Sequence, residues 1–156
     1  MIVVIDASPL IAMSKIGLLN IFKDYFKEVY IPEAVYTEVV VDGRYLFGAK
    51  EIAGLEWIKT KKVSNREAVT ALCMSIHKGE SETIILGKEM GADLVIIDDL
   101  DGKRAAERMG LAAIGTLGIL VRAASDKKIY LPDALNSLKS AGFYISDKLY
   151  YELLEL

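Results

Sequence analysis

Two apolar runs of this chain end on carboxylates. IVVIDAS (residues 2–8) places Asp6 after four aliphatic residues, and LVIIDD (94–99) places Asp98 and Asp99 after four more. A carboxylate costs free energy when it is partly withdrawn from water, and neighbouring carboxylates repel each other. Acids at the mouths of buried strands therefore serve as turn and cap residues, or they hold a cation. GESETIIL (79–86) adds Glu80 and Glu82 at the start of a helical stretch, where the helix dipole favours negative charge. Glu82 lies one turn before Ile85 and Leu86 and shares their face, whereas Glu80 falls nearer the edge. Glu38, at 100° per residue, projects between Ala34 and Val35 on the apolar face of a helix that also carries Val39 and Val41. A carboxylate on that face needs a salt-bridge partner, hydrogen-bond donors or a metal.

Together, Asp6, Glu38, Glu82 and Asp99 are carboxylates on four separate elements that can meet in one acidic pocket. Such a pocket repels itself unless a cation is present, and oxygen-only ligands suit Mg²⁺ or Mn²⁺ rather than zinc or copper. His77 is the only histidine and Cys73 the only cysteine, which agrees with that choice. His77, beside Lys78, reads as a surface residue. Asp98 shares the strand-end position with Asp99, and Asp101-Gly102 reads as a turn beyond them.

These side chains need a scaffold. Ile2 to Ile5, Val29 to Ile31 and Leu94 to Ile97 read as short buried strands, and Leu111–Ile114 is a further apolar stretch. Trp57 to Val63 reads as a strand whose lysines suit a sheet edge. Helical spacing follows Asp6, with a break near Gly17. Pro32 opens a helix through about Val41, and residues 42–48 form a loop. Helices follow over 66–77 and 80–90, separated at Gly79, then over 103–109, from Gly115 onward, and through the C-terminal quarter. Strands alternating with helices predict an α/β fold, a three-layer α/β/α sandwich with a central parallel sheet.

With 156 residues the chain reads as one domain, 1–156, large enough for one core. A net charge of −3 gives no global case for nucleic acid and leaves room for a local basic patch. One cysteine excludes an internal disulfide and a Cys-based zinc site. No stretch reaches the roughly 20 apolar residues of a spanning helix, and the expected location is the cytoplasm, with no membrane partner.

VVIDASPLIA, IPEAVYTEV, GESETIILGKEMGADLVIIDD and GLAAIGTLGIL, in that order, resemble the PIN-domain family of metal-dependent ribonucleases. The likeness is nearest to prokaryotic PIN-like proteins with a GExE segment and an IDD strand end, related to VapC-type toxins. It implies an acidic site for Mg²⁺ or Mn²⁺, with Asp6, Glu38, Glu82 and Asp99 as the catalytic acids. Asp6, Asp98, Asp99 and Glu82 are the implied metal ligands, and Ser8 and Glu80 support them. Glu82 stands where many relatives carry aspartate. The implied reaction is hydrolysis of single-stranded RNA by a metal-activated water. The implied partners are RNA, a small antitoxin and a second copy in a homodimer.

Candidate substrate contacts are Lys103, Arg104, Arg44 and Lys15, with Tyr45 and Phe47 able to stack on bases. The leucines of the C-terminal helices (Leu135, Leu138, Leu149, Leu153, Leu154) read mainly as core. Three other readings compete. A haloacid-dehalogenase-type phosphatase would need a second aspartate where Ser8 stands. A dinucleotide-binding module would need a glycine-rich phosphate loop that neither strand is followed by. A non-catalytic nucleic-acid-binding or protein-interaction domain would keep the fold without the reaction.

Overall fold

The computed structural model describes residues 1–156 and is built on five parallel strands in the order β3-β2-β1-β4-β5. These are β1 (Ile2–Ile5), β2 (Glu28–Pro32), β3 (Ile58–Lys61), β4 (Leu94–Ile96) and β5 (Ala113–Ile114). Successive side chains of a strand point to opposite faces, and both faces are apolar here. Val3, Ile5, Val29, Ile31 and Ile96 feed one core, and Val4, Tyr30, Val95 and Ile97 feed the other.

Helices cover both layers. The first core is closed by α1 (Ala7–Lys15), α2 (Asn20–Tyr25), α3 (Glu33–Tyr36), α4 (Ala49–Ala53), α8 (Thr116–Ser125) and α9 (Leu131–Ser140). The second is closed by α5 (Arg66–Leu72), α6 (Lys78–Met90) and α7 (Leu100–Arg108). The last helix, α10 (Asp147–Leu154), packs on α9. The expected α/β/α sandwich around a parallel sheet is what the chain forms.

Three local expectations are corrected. The helix after Pro32 is α-helical only to Tyr36 and then widens into a π-helical turn, Thr37–Asp42. The break between α5 and α6 falls at 73–77, so Gly79 lies inside the first turn of α6. Asp101-Gly102 is likewise no turn but part of α7. A Cβ on Gly102 would stand 2.8 Å from Ile97 Cγ2, so this glycine serves close packing of the helix on the strand end. The lysines of β3 do sit on an edge strand, with Lys59 and Lys61 exposed.

Strand order decides where a site can form. The chain winds outward from β1 through β2 to β3, then returns to lay β4 on the other flank of β1. Connections therefore leave β1 and β4 in opposite directions, and a crevice opens beyond their carboxyl ends. Ile5 pairs with Ile96, and the Asp6 N–H donates to the Ile96 carbonyl at 2.9 Å. Both acid-bearing strand ends thus meet at the crevice.

Candidate functional site

Asp6 is the residue that leads from β1 into α1. Its backbone is extended and its side chain makes no capping hydrogen bond to the helix, with only the adjacent Ala7 N–H beside it. It is only 6% exposed. Burial, reinforced by the charges of Glu80, Glu38 and Asp98, pushes its carboxyl up to about 7, against the pull of the Ala7 backbone N–H. No lysine or arginine pairs with Asp6, Glu38, Glu80 or Asp98.

Glu80 enters from the first turn of α6. It is buried, and its Oε2 accepts the backbone N–H of His77 at 3.0 Å, while Oε1 stands 3.6 Å from His77 Nδ1. This reciprocal closure of the helix start is written in the sequence as HKGE. Gly79 makes the approach possible: a Cβ there would lie 3.2 Å from Asp6 Oδ1 and 3.6 Å from Glu38 Oε2. A Cβ would thus press on Asp6 while making ordinary contact with Glu38.

Glu38 projects from the π-helical turn over the same cavity and remains solvent-exposed at its rim. Partial burial, with Glu80 nearby, raises its carboxyl above the ordinary value, and His77 opposes that rise. Asp98 lies two residues beyond β4. It accepts hydrogen bonds from Thr116 N at 2.6 Å, Thr116 Oγ1 at 2.8 Å and Ser8 Oγ at 3.0 Å. A carboxylate offers about four acceptor positions, so one remains. Gly115 admits this arrangement, because a Cβ there would stand 2.8 Å from Asp98 Oδ1.

A cavity of about 430 Å³ has Asp6, Ser8, Glu38, His77 and Glu80 in its walls, and Asp98 reaches it through its bond to Ser8. No three of the Asp, Glu and His side chains stand at a spacing that a single ion would bridge. The donor chemistry is nevertheless that of a hard divalent cation: carboxylate oxygens that no lysine or arginine pairs.

Glu82 and Asp99, expected among the ligands, are engaged elsewhere. Glu82 is buried on the opposite flank of α6, where Oε1 accepts the Ala34 N–H at 3.0 Å and Oε2 meets Arg66 at 3.1 Å. It ties the start of α3 to α6 and α5. Asp99 caps α7, its Oδ2 accepting the Gly102 N–H at 2.9 Å. Glu80 and Asp98 stand at the crevice in their place.

Among the cations, Lys15 lines the cavity. Lys103 is half-buried near Asp98, its Nζ 3.5 Å from the point where a Gly115 Cβ would sit. Arg104 is exposed on α7. Arg44 donates to the Val41 carbonyl at 2.9 Å and lies over the Tyr45 ring at 4.9 Å, outside the cavity. Sequence reasoning missed His77 and Thr116 as parts of the site. The HKGE capping pattern signals the first, and nothing short of the fold signals the second.

The PIN-domain family DUF3368 matches residues 2–156, nearly the whole chain. No curated protein matches it. No helix is long and apolar enough to cross a membrane. A parallel sheet with acids gathered where its winding reverses, and a family match from the first strand to the last helix, lead to one assignment: the chain belongs to the PIN-domain family, whose fold is of the nuclease type.

Proposed function

We propose that the chain is a metal-dependent endoribonuclease acting on single-stranded RNA, with Asp6, Glu38, Glu80 and Asp98 as its acidic centre. The observation that carries this reading is Asp6: a buried carboxylate, free of local capping duty, facing three other acids and no basic partner.

Asp6 and Asp98 would hold Mg²⁺ or Mn²⁺ from the two strand ends, and Glu38 and Glu80 would complete the site from the other side. Bound there, such a cation lowers the pKa of a coordinated water and offsets charge on a phosphate. Ser8 and Thr116 fix the Asp98 carboxylate by hydrogen bonds. Glu38, at the solvent rim, is placed to accept a proton from an incoming water. His77 lies beside Glu80 and Glu38 and lends the rim its only ring nitrogens. The toxin role, with a small antitoxin as inhibitor and a homodimer as the working form, belongs to the same proposal.

The test is cleavage of a varied set of single-stranded RNAs by the purified chain, with Mg²⁺ or Mn²⁺ and with chelator. Cleavage should require the metal, and the metal concentration needed should rise as pH falls below about 7, because Asp6 must lose its proton to bind the cation. Asp6→Asn and Asp98→Asn should each reduce the rate by at least about 100-fold, while Asp99→Asn retains most of it. RNA binding without cleavage under every metal would establish the non-catalytic reading instead.

A further inference from the structure

The cavity that holds the acids does not stop at them. Its far wall is made by Ile11 and Lys15 of α1 and by Phe143, which follows α9. A second, more open groove begins where this one ends. Both share Lys15 and Ala141, and the second continues along α9 past Asn136, Ser137 and Ser140. At 1.5 Å per helical residue, the path along α1 from Asp6 to Lys15 is about 13 Å.

The chemistry changes along this trough. The acids come first, then an aromatic ring and an ammonium, then hydrogen-bonding groups uncharged but for Asp133. Phe143 is half-buried, its ring packed against the core, and Gly142 at φ 93° turns the chain into position before it. Lys15 is exposed and enters no ion pair within the chain. The Tyr150 hydroxyl donates to Asn136 Oδ1 at 2.8 Å, which fixes that amide and leaves its nitrogen as a donor.

A groove that follows only the sugar-phosphate backbone is lined with cations. Here a single lysine is accompanied by Asp133 on the same groove, so the trough supplies little charge and much hydrogen bonding. Resting on the reading that the acids cut single-stranded RNA, we propose that this trough is the track of the strand beside the scissile phosphate. In it Phe143 stacks on one base and Lys15 neutralises one phosphate. Asn136, Ser137 and Ser140 bond to ribose hydroxyls and base edges. Hydroxyl and amide groups can both serve a 2′-OH, the group that separates RNA from DNA.

The experiment measures binding of a fluorescein-labelled single-stranded RNA by anisotropy, with Mg²⁺, in an Asp6→Asn background where the strand stays intact. Phe143→Ala should weaken binding about 5- to 160-fold, the worth of one stacked base. Phe143→Tyr, which keeps a ring, should restore it. Lys15→Ala should reduce the slope of log K against log salt by about 0.7, one phosphate on a single strand. The Ser137→Ala, Ser140→Ala double variant should bring RNA affinity most of the way down to that of the same-sequence DNA. Melting curves identify any variant that fails to fold, and for Phe143 the Tyr variant then decides. Unchanged binding on loss of Phe143 and Lys15, equal parental affinity for RNA and DNA, or no RNA binding at all overturns the track. Metal-dependent cleavage by the unaltered chain is scored separately. Track-dependent binding without cleavage sinks the nuclease reading alone, and cleavage indifferent to Phe143 and Lys15 sinks the track alone.

Discussion

Asp6 is held where a carboxylate is costly. Its carboxyl rises from 3.8 to about 7 on folding, so between those values the folded chain keeps a proton that the unfolded chain has released. Stability linked to this group is therefore greatest below about pH 4, falls as pH rises through 7, and stays low above it. At 1.36 kcal/mol per unit the loss reaches up to about 4 kcal/mol. We predict that Asp6→Asn, which removes the charge and keeps the shape, raises the melting temperature at pH 8 by roughly 5–15 °C, with little change near pH 4. A variant no more stable than its parent at pH 8 would show that Asp6 bears no such cost. Asp6 was legible in the sequence because it terminates an unbroken aliphatic strand. That Glu80 and not Glu82 faces the cavity was not. Residues 80–87 are all buried, so α6 has no polar stripe to tell one flank from the other. The two glutamates point about 200° apart, one to the crevice and one to Arg66, and only the packing of α3 and α5 distinguishes them.

Helix ends and their ties set the positions of these groups. Asp99 spends its carboxylate on the first turn of α7. Asp99→Ala should cost about 1 kcal/mol in chemical denaturation, the usual worth of a cap, whereas Asp98→Ala should abolish any stabilisation by divalent cations. Reversal of that pattern would return Asp99 to the metal. Glu82 holds the N-terminus of α3, the helix that runs into the π-helical turn bearing Glu38. Arg66→Ala leaves a buried glutamate with only the Ala34 N–H, and it should cost about 1–3 kcal/mol. Its guanidinium is about half exposed, which keeps the figure below that of a fully buried pair. Element types were largely readable from periodicity: the strands at 2–5 and 94–96 and the helices flanking them stand close to where the sequence puts them. The π-helical turn was not readable, since a helix that gains one residue per turn keeps the same composition. Nor was the glycine of Asp101-Gly102, whose dipeptide signals a turn while contact with Ile97 decides otherwise.

At the scale of the molecule, the winding of the sheet places all four acids at one crevice, and a ligand of that crevice binds only the folded chain. Mg²⁺ or Mn²⁺ at a hundred times its dissociation constant should add about 2.7 kcal/mol, seen as a rise in melting temperature of about 5–10 °C. The rise should vanish in Asp6→Asn; its persistence there would place the cation elsewhere. The sandwich was legible because both faces of each inner strand are apolar, while strand order, which alone decides that β1 and β4 are neighbours, leaves no mark on composition. That neighbourhood also governs when the site comes into being. Every strand pair is parallel, so no hairpin can form early as a nucleus, and each pairing must close a long loop first. Ser8 and Asp98, which share a hydrogen bond, are 90 positions apart. A nascent chain emerging as far as α6 already carries Asp6, Glu38 and Glu80, yet it lacks the strand that completes their crevice. The crevice that gathers these acids is thus assembled late, and the chain lacks it during most of its own synthesis.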